Sequence, residues 1–214
     1  MDEALRYLGA HAPDDGLRAA AEQIARQVTL RFVPRYVIRE YDVRKTAEGV
    51  VLEGSGVTLP GRLAARMLAE CERAAVVVCT LGATFDRWLA AEQRRSMADA
   101  VIVNACGSAW VEAGCDAAED ELRRLHPGLY LTDRFSPGYG DLPLTVQGQM
   151  LAAADAGRRL GVVLTPSCLM NPTKTVTAVI GLSERQQMAR IRGCAFCRMK
   201  ETCTLRERGD TCGV

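Results

Sequence analysis

The sequence predicts an α+β fold, with helices packed on a mixed, mostly antiparallel sheet and a small cysteine-rich tail at the end. Three observations predict it. Apolar, β-branched runs at 35–43, 49–54, 74–82 and 175–180 recur without the strict strand–helix alternation of a parallel sheet. Helix-period segments stand between them, the longest from Met97 to about His126. The 214 residues are 48% hydrophobic but only 5% aromatic, which gives a substantial core and small side chains for close helix packing.

Asp2–Leu8 reads as a short helix. Asp14-Asp15-Gly16 supplies acceptors ahead of a second, where Leu17, Ala20, Ala21, Ile24, Ala25 and Val28 follow helical spacing and Pro34 forbids continuation. Arg35–Val43, Gly49–Gly54 and Val57–Leu59 read as two strands joined by a turn and a brief third element. Pro60-Gly61 opens a helix over Arg62–Cys71 with Leu63, Met67 and Leu68 inward. Ala74–Gly82, short and rich in Val, reads as a central strand buried on both faces. Thr84 is the expected cap of a helix around Phe85–Gln93. In the long helix, Ile102, Cys106, Ala109, Ala113 and Ala117 mark the expected buried face. Gly107 and Gly114 each cost about 1 kcal/mol against Ala, so tight helix packing, or close approach by another backbone or a ligand, is expected there. Pro127-Gly128 stops the helix and Leu129–Thr132 is a strand. Thr145–Arg159 is a helix with Val146, Met150 and Ala153 inward. Gly161–Thr165 and Thr175–Ile180 are strands flanking a turn-rich segment with Asn171-Pro172.

Charge excludes some functions. With 27 basic and 26 acidic residues, nothing marks an electrostatic nucleic-acid binder. No apolar run approaches the roughly 20 residues that span a bilayer. Met1-Asp2-Glu3-Ala4 lacks the regions of a secretory signal, so a cytoplasmic chain is expected. The two histidines, His11 and His126, lie near element ends, and no nucleophile elbow, Walker loop or Rossmann fingerprint is present. No catalytic residue is therefore assigned.

Nine cysteines are many for such a chain. Cys71, Cys79, Cys106, Cys115 and Cys168 lie among apolar or small residues and read as buried thiols. Cys194-x-x-Cys197-x5-Cys203-x8-Cys212 is different. Two sulfurs at this spacing reach one ion, and two more complete a four-thiolate set for zinc or an iron–sulfur cluster. A redox dithiol, disulfides, or no ligand at all are the other readings. Arg192, Arg198, Lys200, Arg206 and Arg208 surround these thiols and would lower their pKa values. The boundaries expected are a domain over 1–190 and the tail over 191–214.

Between the strand at 129–132 and the helix from Thr145 lies Arg134-Phe135-Ser136-Pro137-Gly138-Tyr139-Gly140-Asp141-Leu142-Pro143. Pro137-Gly138 is a turn signal and Pro143 a second stiff point. A rigid loop offering a ring, a guanidinium and backbone groups suits a small polar ligand with an aromatic part and a carboxylate. An ordered turn with Arg134 in a structural ion pair is the plainer alternative.

The pattern Arg134-x-x-Pro137-Gly138-Tyr139-x-x-x-Pro143 resembles the activation (reactivation) domain of cobalamin-dependent methionine synthase, and in particular its short free-standing members. The likeness extends to about residue 185 and includes a second patch, Met170–Leu182. In the larger enzyme that patch carries aromatics before a Ser-His pair; Val179-Ile180-Gly181-Leu182-Ser183-Glu184 stands here instead. An Asp-His after the loop's last proline is replaced by Leu144-Thr145. The resemblance implies that the loop holds S-adenosylmethionine. Arg134 would then pair with the ligand carboxylate or hold its ribose side, Gly138 would allow close approach, Tyr139 would border the ligand, and Ser136 and Pro137 would offer backbone groups. It also implies a partner, a cobalamin-binding methionine synthase or related corrinoid protein, and a one-electron donor such as flavodoxin or ferredoxin. The chain would then be a component of a methyltransferase system with no turnover alone. A different class of reading is a metal- or iron–sulfur-bearing redox or binding module serving another corrinoid protein.

Overall fold

The computed structural model describes residues 2–10, 13–186, 190, 191 and 201. The elements are α1 (Asp2–Tyr7), α2 (Asp15–Arg31), β1 (Arg35–Thr46), β2 (Gly49–Leu52), β3 (Val57–Leu59), α3 (Arg62–Met67), β4 (Arg73–Thr80), α4 (Ala83–Arg95), α5 (Met97–Leu125) and β5 (Tyr130–Leu131). A 3₁₀ turn (Leu144–Val146), α6 (Gln147–Ala153), α7 (Ala156–Leu160), β6 (Val163–Leu164), β7 (Met170–Asn171) and β8 (Thr175–Ser183) follow. Six strands form one sheet in the order β3-β2-β1-β4-β8-β5, and β6 and β7 form a separate hairpin. The expected α+β class, helices with a mainly antiparallel sheet, is what the chain adopts. β2 pairs antiparallel with β1 (Val43 opposite Leu52) and with β3 (Val50 opposite Leu59), and β5 pairs antiparallel with β8 (Leu131 opposite Leu182). β4 lies between β1 and β8, buried from Ala74 to Thr80, as its valine run requires.

The chain divides into two compact units, one of residues 1–38, 77–121 and 154–177, the other of 39–76, 122–153 and 178–214. In the first, Phe32 stacks on Trp88 at 5.3 Å between centroids and meets Phe85 edge-on at 5.2 Å. Ala21, Ile24, Val28, Cys79, Val103 and Val111 complete that core. Asp14 caps α2 by accepting the Leu17 N–H at 2.7 Å, as its position ahead of the helix predicts. In the second unit Leu52, Leu59, Met67, Leu68, Leu142, Met150, Ile180 and Leu182 are fully buried.

Four expectations are corrected. α3 ends at Met67 rather than Cys71, because the chain tightens into i→i+3 bonds, with Cys71 N–H on the Leu68 carbonyl at 3.1 Å. α4 starts at Ala83, and its cap is Gly82 (φ 79°) rather than Thr84, because the turn out of β4 requires a positive φ. The single helix expected over Thr145–Arg159 is broken at Asp155, which adopts the left-handed conformation (φ 52°, ψ 39°) between α6 and α7. The buried face of α5 passes through Ile102, Val103 and Cys106 but then through Val111, Cys115, Ala118 and Leu122, which leaves Ala117 exposed. Alanine gains little from burial, so the larger apolar residues orient the helix. Cys71, Cys79, Cys106 and Cys115 are buried as expected, while Cys168 is half-buried in a left-handed turn (φ 60°). Cys194, Cys197, Cys203 and Cys212 lie outside the described residues.

Candidate ligand loop

The chain enters the loop already fastened to β8. Thr132 N–H donates to the Gly181 carbonyl at 3.0 Å, and the Thr132 hydroxyl accepts the Gly181 N–H at 2.8 Å. Phe135 exchanges backbone bonds with Val179 at 3.1 and 2.8 Å, and its ring is fully buried. Pro137 and Leu142 are also buried. The segment between these plugs is folded by its own backbone. Tyr139 N–H donates to the Ser136 carbonyl (3.1 Å) across a turn whose central residues are Pro137 and Gly138. Gly138 has φ 92°, the positive value that a type II turn needs at its third position. Leu142 N–H donates to the Tyr139 carbonyl (2.9 Å), and Gly138 N–H to the Leu142 carbonyl (2.8 Å), closing the loop on itself.

With its apolar residues turned inward, the loop presents the residues the sequence singles out. Tyr139 is 50% exposed, which excludes a core tyrosine. A Cβ at Gly138 would meet nothing nearer than Leu144 Cδ1 at 3.8 Å, so that backbone is open to approach. Arg134 and Ser136 are half-buried on either side of the Phe135 anchor.

Asp141, which the sequence reading does not single out, braces the loop. Its carboxylate accepts the N–H groups of Arg62 (2.7 Å) and Leu63 (2.9 Å) at the start of α3. The cap of that helix is Gly61, with no side-chain acceptor of its own. A helix start leaves N–H groups unsatisfied, so an acceptor must come from elsewhere. Gly61 also has to be glycine. At φ 94° a Cβ would stand 2.9 Å from Asp141 Cγ. These backbone donors hold the Asp141 carboxyl below its ordinary pKa. The signal was the Pro-Gly helix opening, whose missing cap residue left a vacancy for an acidic partner.

Asp133, beside Arg134, has its side chain only 12% exposed. It accepts Arg190 Nη1 at 3.2 Å and the Ile191 N–H at 3.0 Å.

The second sequence patch divides between the units. In the first, Asp86 accepts the Thr173 N–H and hydroxyl, each at 2.8 Å, and Lys174 Nζ donates to the Ser108 hydroxyl at 2.8 Å. Desolvation lowers the Lys174 pKa. In the second, Val179–Ser183 is buried throughout, and a Cβ at Gly181 would meet Cys71 Sγ at 2.5 Å, Leu68 Cδ2 at 2.7 Å and Thr132 Cγ2 at 2.9 Å. Among the described residues no cluster of His, Cys, Asp and Glu is arranged to hold a metal ion, and no helix is long and apolar enough to cross a membrane.

No family model matches the chain, and no curated protein matches it significantly. Among solved structures it is similar to the MetH reactivation domain crystallised with AdoHcy. The TM-score is 0.65 at 14% identity, over 92% of this chain and 73% of that one. The chain therefore has the reactivation-domain fold. The activation-domain resemblance carried by the Arg134–Pro143 motif agrees with that fold.

Proposed function

We propose that the chain binds S-adenosylmethionine at the Arg134–Pro143 loop and supports reductive methylation of the cobalamin held by a separate methionine synthase or related corrinoid protein. The observation that carries this reading is the loop itself. It is anchored at Phe135 and braced by Asp141. It holds Tyr139 half-exposed beside an open Gly138, on a fold shared with a domain crystallised with AdoHcy, the demethylated product of the same ligand.

On this reading Arg134 holds the ligand's carboxylate or ribose side and Tyr139 borders its flat part. The partner's corrinoid supplies the nucleophilic cobalt once an external one-electron donor has reduced it. The sulfonium methyl passes to it and S-adenosylhomocysteine leaves. Such a transfer needs alignment and water exclusion more than proton transfer. Cys194, Cys197, Cys203 and Cys212 are proposed as a metal or cluster site in the tail.

The test uses a methionine synthase fragment that carries cobalamin but no reactivation domain, with a flavodoxin or ferredoxin reductant. Addition of this protein and methyl-labelled S-adenosylmethionine should transfer label to the corrinoid; no transfer above the protein-free control contradicts the reading. One feature favours a second reading, service to a different corrinoid partner. The patch that, by the resemblance, carries aromatics before a Ser-His pair in the larger enzyme is here the buried Val179–Ser183, with no aromatic side chain. S-adenosylmethionine binding without transfer to the methionine synthase fragment is the result that reading predicts.

A further inference from the structure

Of the 27 basic residues only Lys45, Lys174 and Lys200 are lysines. Elsewhere the chain uses arginine, which never gives up its charge. Lys174 stands where a removable charge has chemical use. It directly precedes β8, within the first unit, and its backbone is pinned: its carbonyl accepts the Leu81 N–H at 3.0 Å and the Thr80 hydroxyl at 3.2 Å. The residue is half-buried, and Nζ donates to the Ser108 hydroxyl at 2.8 Å. Ser108 in turn donates to the Asn104 carbonyl, one turn back in α5, at 3.1 Å, which leaves an oxygen lone pair for Nζ. That partner is neutral. Asp86, on α4, directs its carboxylate at the Thr173 N–H and hydroxyl, each at 2.8 Å. Burial outweighs the attraction of Asp86 and favours the uncharged amine.

We propose that Lys174 is a nucleophilic amine that captures a small aldehyde or ketone as an imine, with Ser108 as its positioning residue. Desolvated lysines beside a hydrogen-bonding group carry this chemistry, and an arginine could not. An anionic ligand would need the charge that burial disfavours. The neutral Nζ attacks the carbonyl carbon, a C–N bond forms, and the carbonyl π pair moves to oxygen, which takes a proton. The carbinolamine then loses that oxygen as water, the nitrogen gives up its remaining protons, and the imine is left. The Ser108 hydroxyl, 2.8 Å from the nitrogen, reaches the carbinolamine oxygen when it turns from Asn104. This inference does not rest on the S-adenosylmethionine reading.

The experiment incubates the full chain at neutral pH with propanal and cyanoborohydride, which reduces an imine to a stable secondary amine, and locates the label by peptide mass spectrometry. Lys45, exposed and bonded through Nζ to the Ala69 carbonyl, is the reference within the same molecule, so the comparison needs no variant. Label should gather on Lys174 ahead of Lys45. Ser108→Ala should slow trapping at Lys174 about tenfold, the scale of one hydrogen bond, and Ser108→Thr, which keeps the hydroxyl, should restore it. Labelling of Lys174 no faster than of Lys45, or an unchanged rate in Ser108→Ala, overturns the proposal.

Discussion

Asp141 accepts N–H groups 79 and 78 residues away in sequence. Its effect on stability has a definite pH sign. The folded pKa lies below the ordinary value of 3.8, so the stabilisation is complete above that value and is lost as pH falls through the lowered pKa. Asp141→Asn should therefore lower the unfolding temperature at neutral pH, and the gap from wild type should close on acidification below 3.8; a gap that stays constant with pH would refute the carboxylate's role. Tyr139 makes the opposite prediction. As a half-exposed side chain, its replacement in Tyr139→Ala should change stability by no more than about 0.5 kcal/mol, yet weaken S-adenosylmethionine binding about tenfold. Denaturation and calorimetry on one preparation check both. The turn at Pro137-Gly138 was legible because turn chemistry is local. Asp141 was not, because its partners are distant and only the uncapped Gly61 hinted at it.

At the scale of elements, α5 shows what periodicity reveals and where it stops. Its extent, Met97–Leu125, agrees with the predicted span to within a residue, because apolar and small residues recur at helical spacing from Met97 and no proline interrupts them before Pro127-Gly128. Its facing did not follow the alanines. Gly107 and Gly114 were read as close-approach positions, and they are, but side chains rather than backbone fill them. A Cβ at Gly107 would overlap the Phe85 ring, and one at Gly114 would stand 2.5 Å from Pro34 Cβ and 2.6 Å from Cys79 Sγ. Gly→Ala within an exposed helix normally gains about 1 kcal/mol. Here Gly107→Ala should instead destabilise by about 1–3 kcal/mol through overpacking, measured by urea denaturation; a stabilised variant would show that the ring moves freely. The break at Asp155 escaped the pattern because the residues around it remain helix-forming, and only a left-handed φ at a residue tolerant of it reveals the join.

For the molecule as a whole, the valine run of β4 and the hairpin-like β1–β2–β3 sequence announced the sheet. The order β1-β4-β8-β5 did not, since those pairings join segments far apart in the chain. The interleaving of three segments in each unit was equally invisible. The thiols offer a global check. Burial raises Cys71 and Cys106 from 9.0 to about 11. Unfolded thiols ionise first, so folding stability should hold up to about pH 9 and fall between 9 and 11. Thiol reagents at pH 8 should leave Cys71, Cys79, Cys106 and Cys115 unmodified until the protein is unfolded. Rapid native labelling of these four would contradict the packing described. The central claim concerns the loop, and isothermal calorimetry with S-adenosylmethionine tests it most directly. The account predicts saturable binding by the wild type, weakened at least about tenfold in Arg134→Ala by loss of a charge-assisted contact. No binding by the wild type, or equal affinity in the variant, would contradict it.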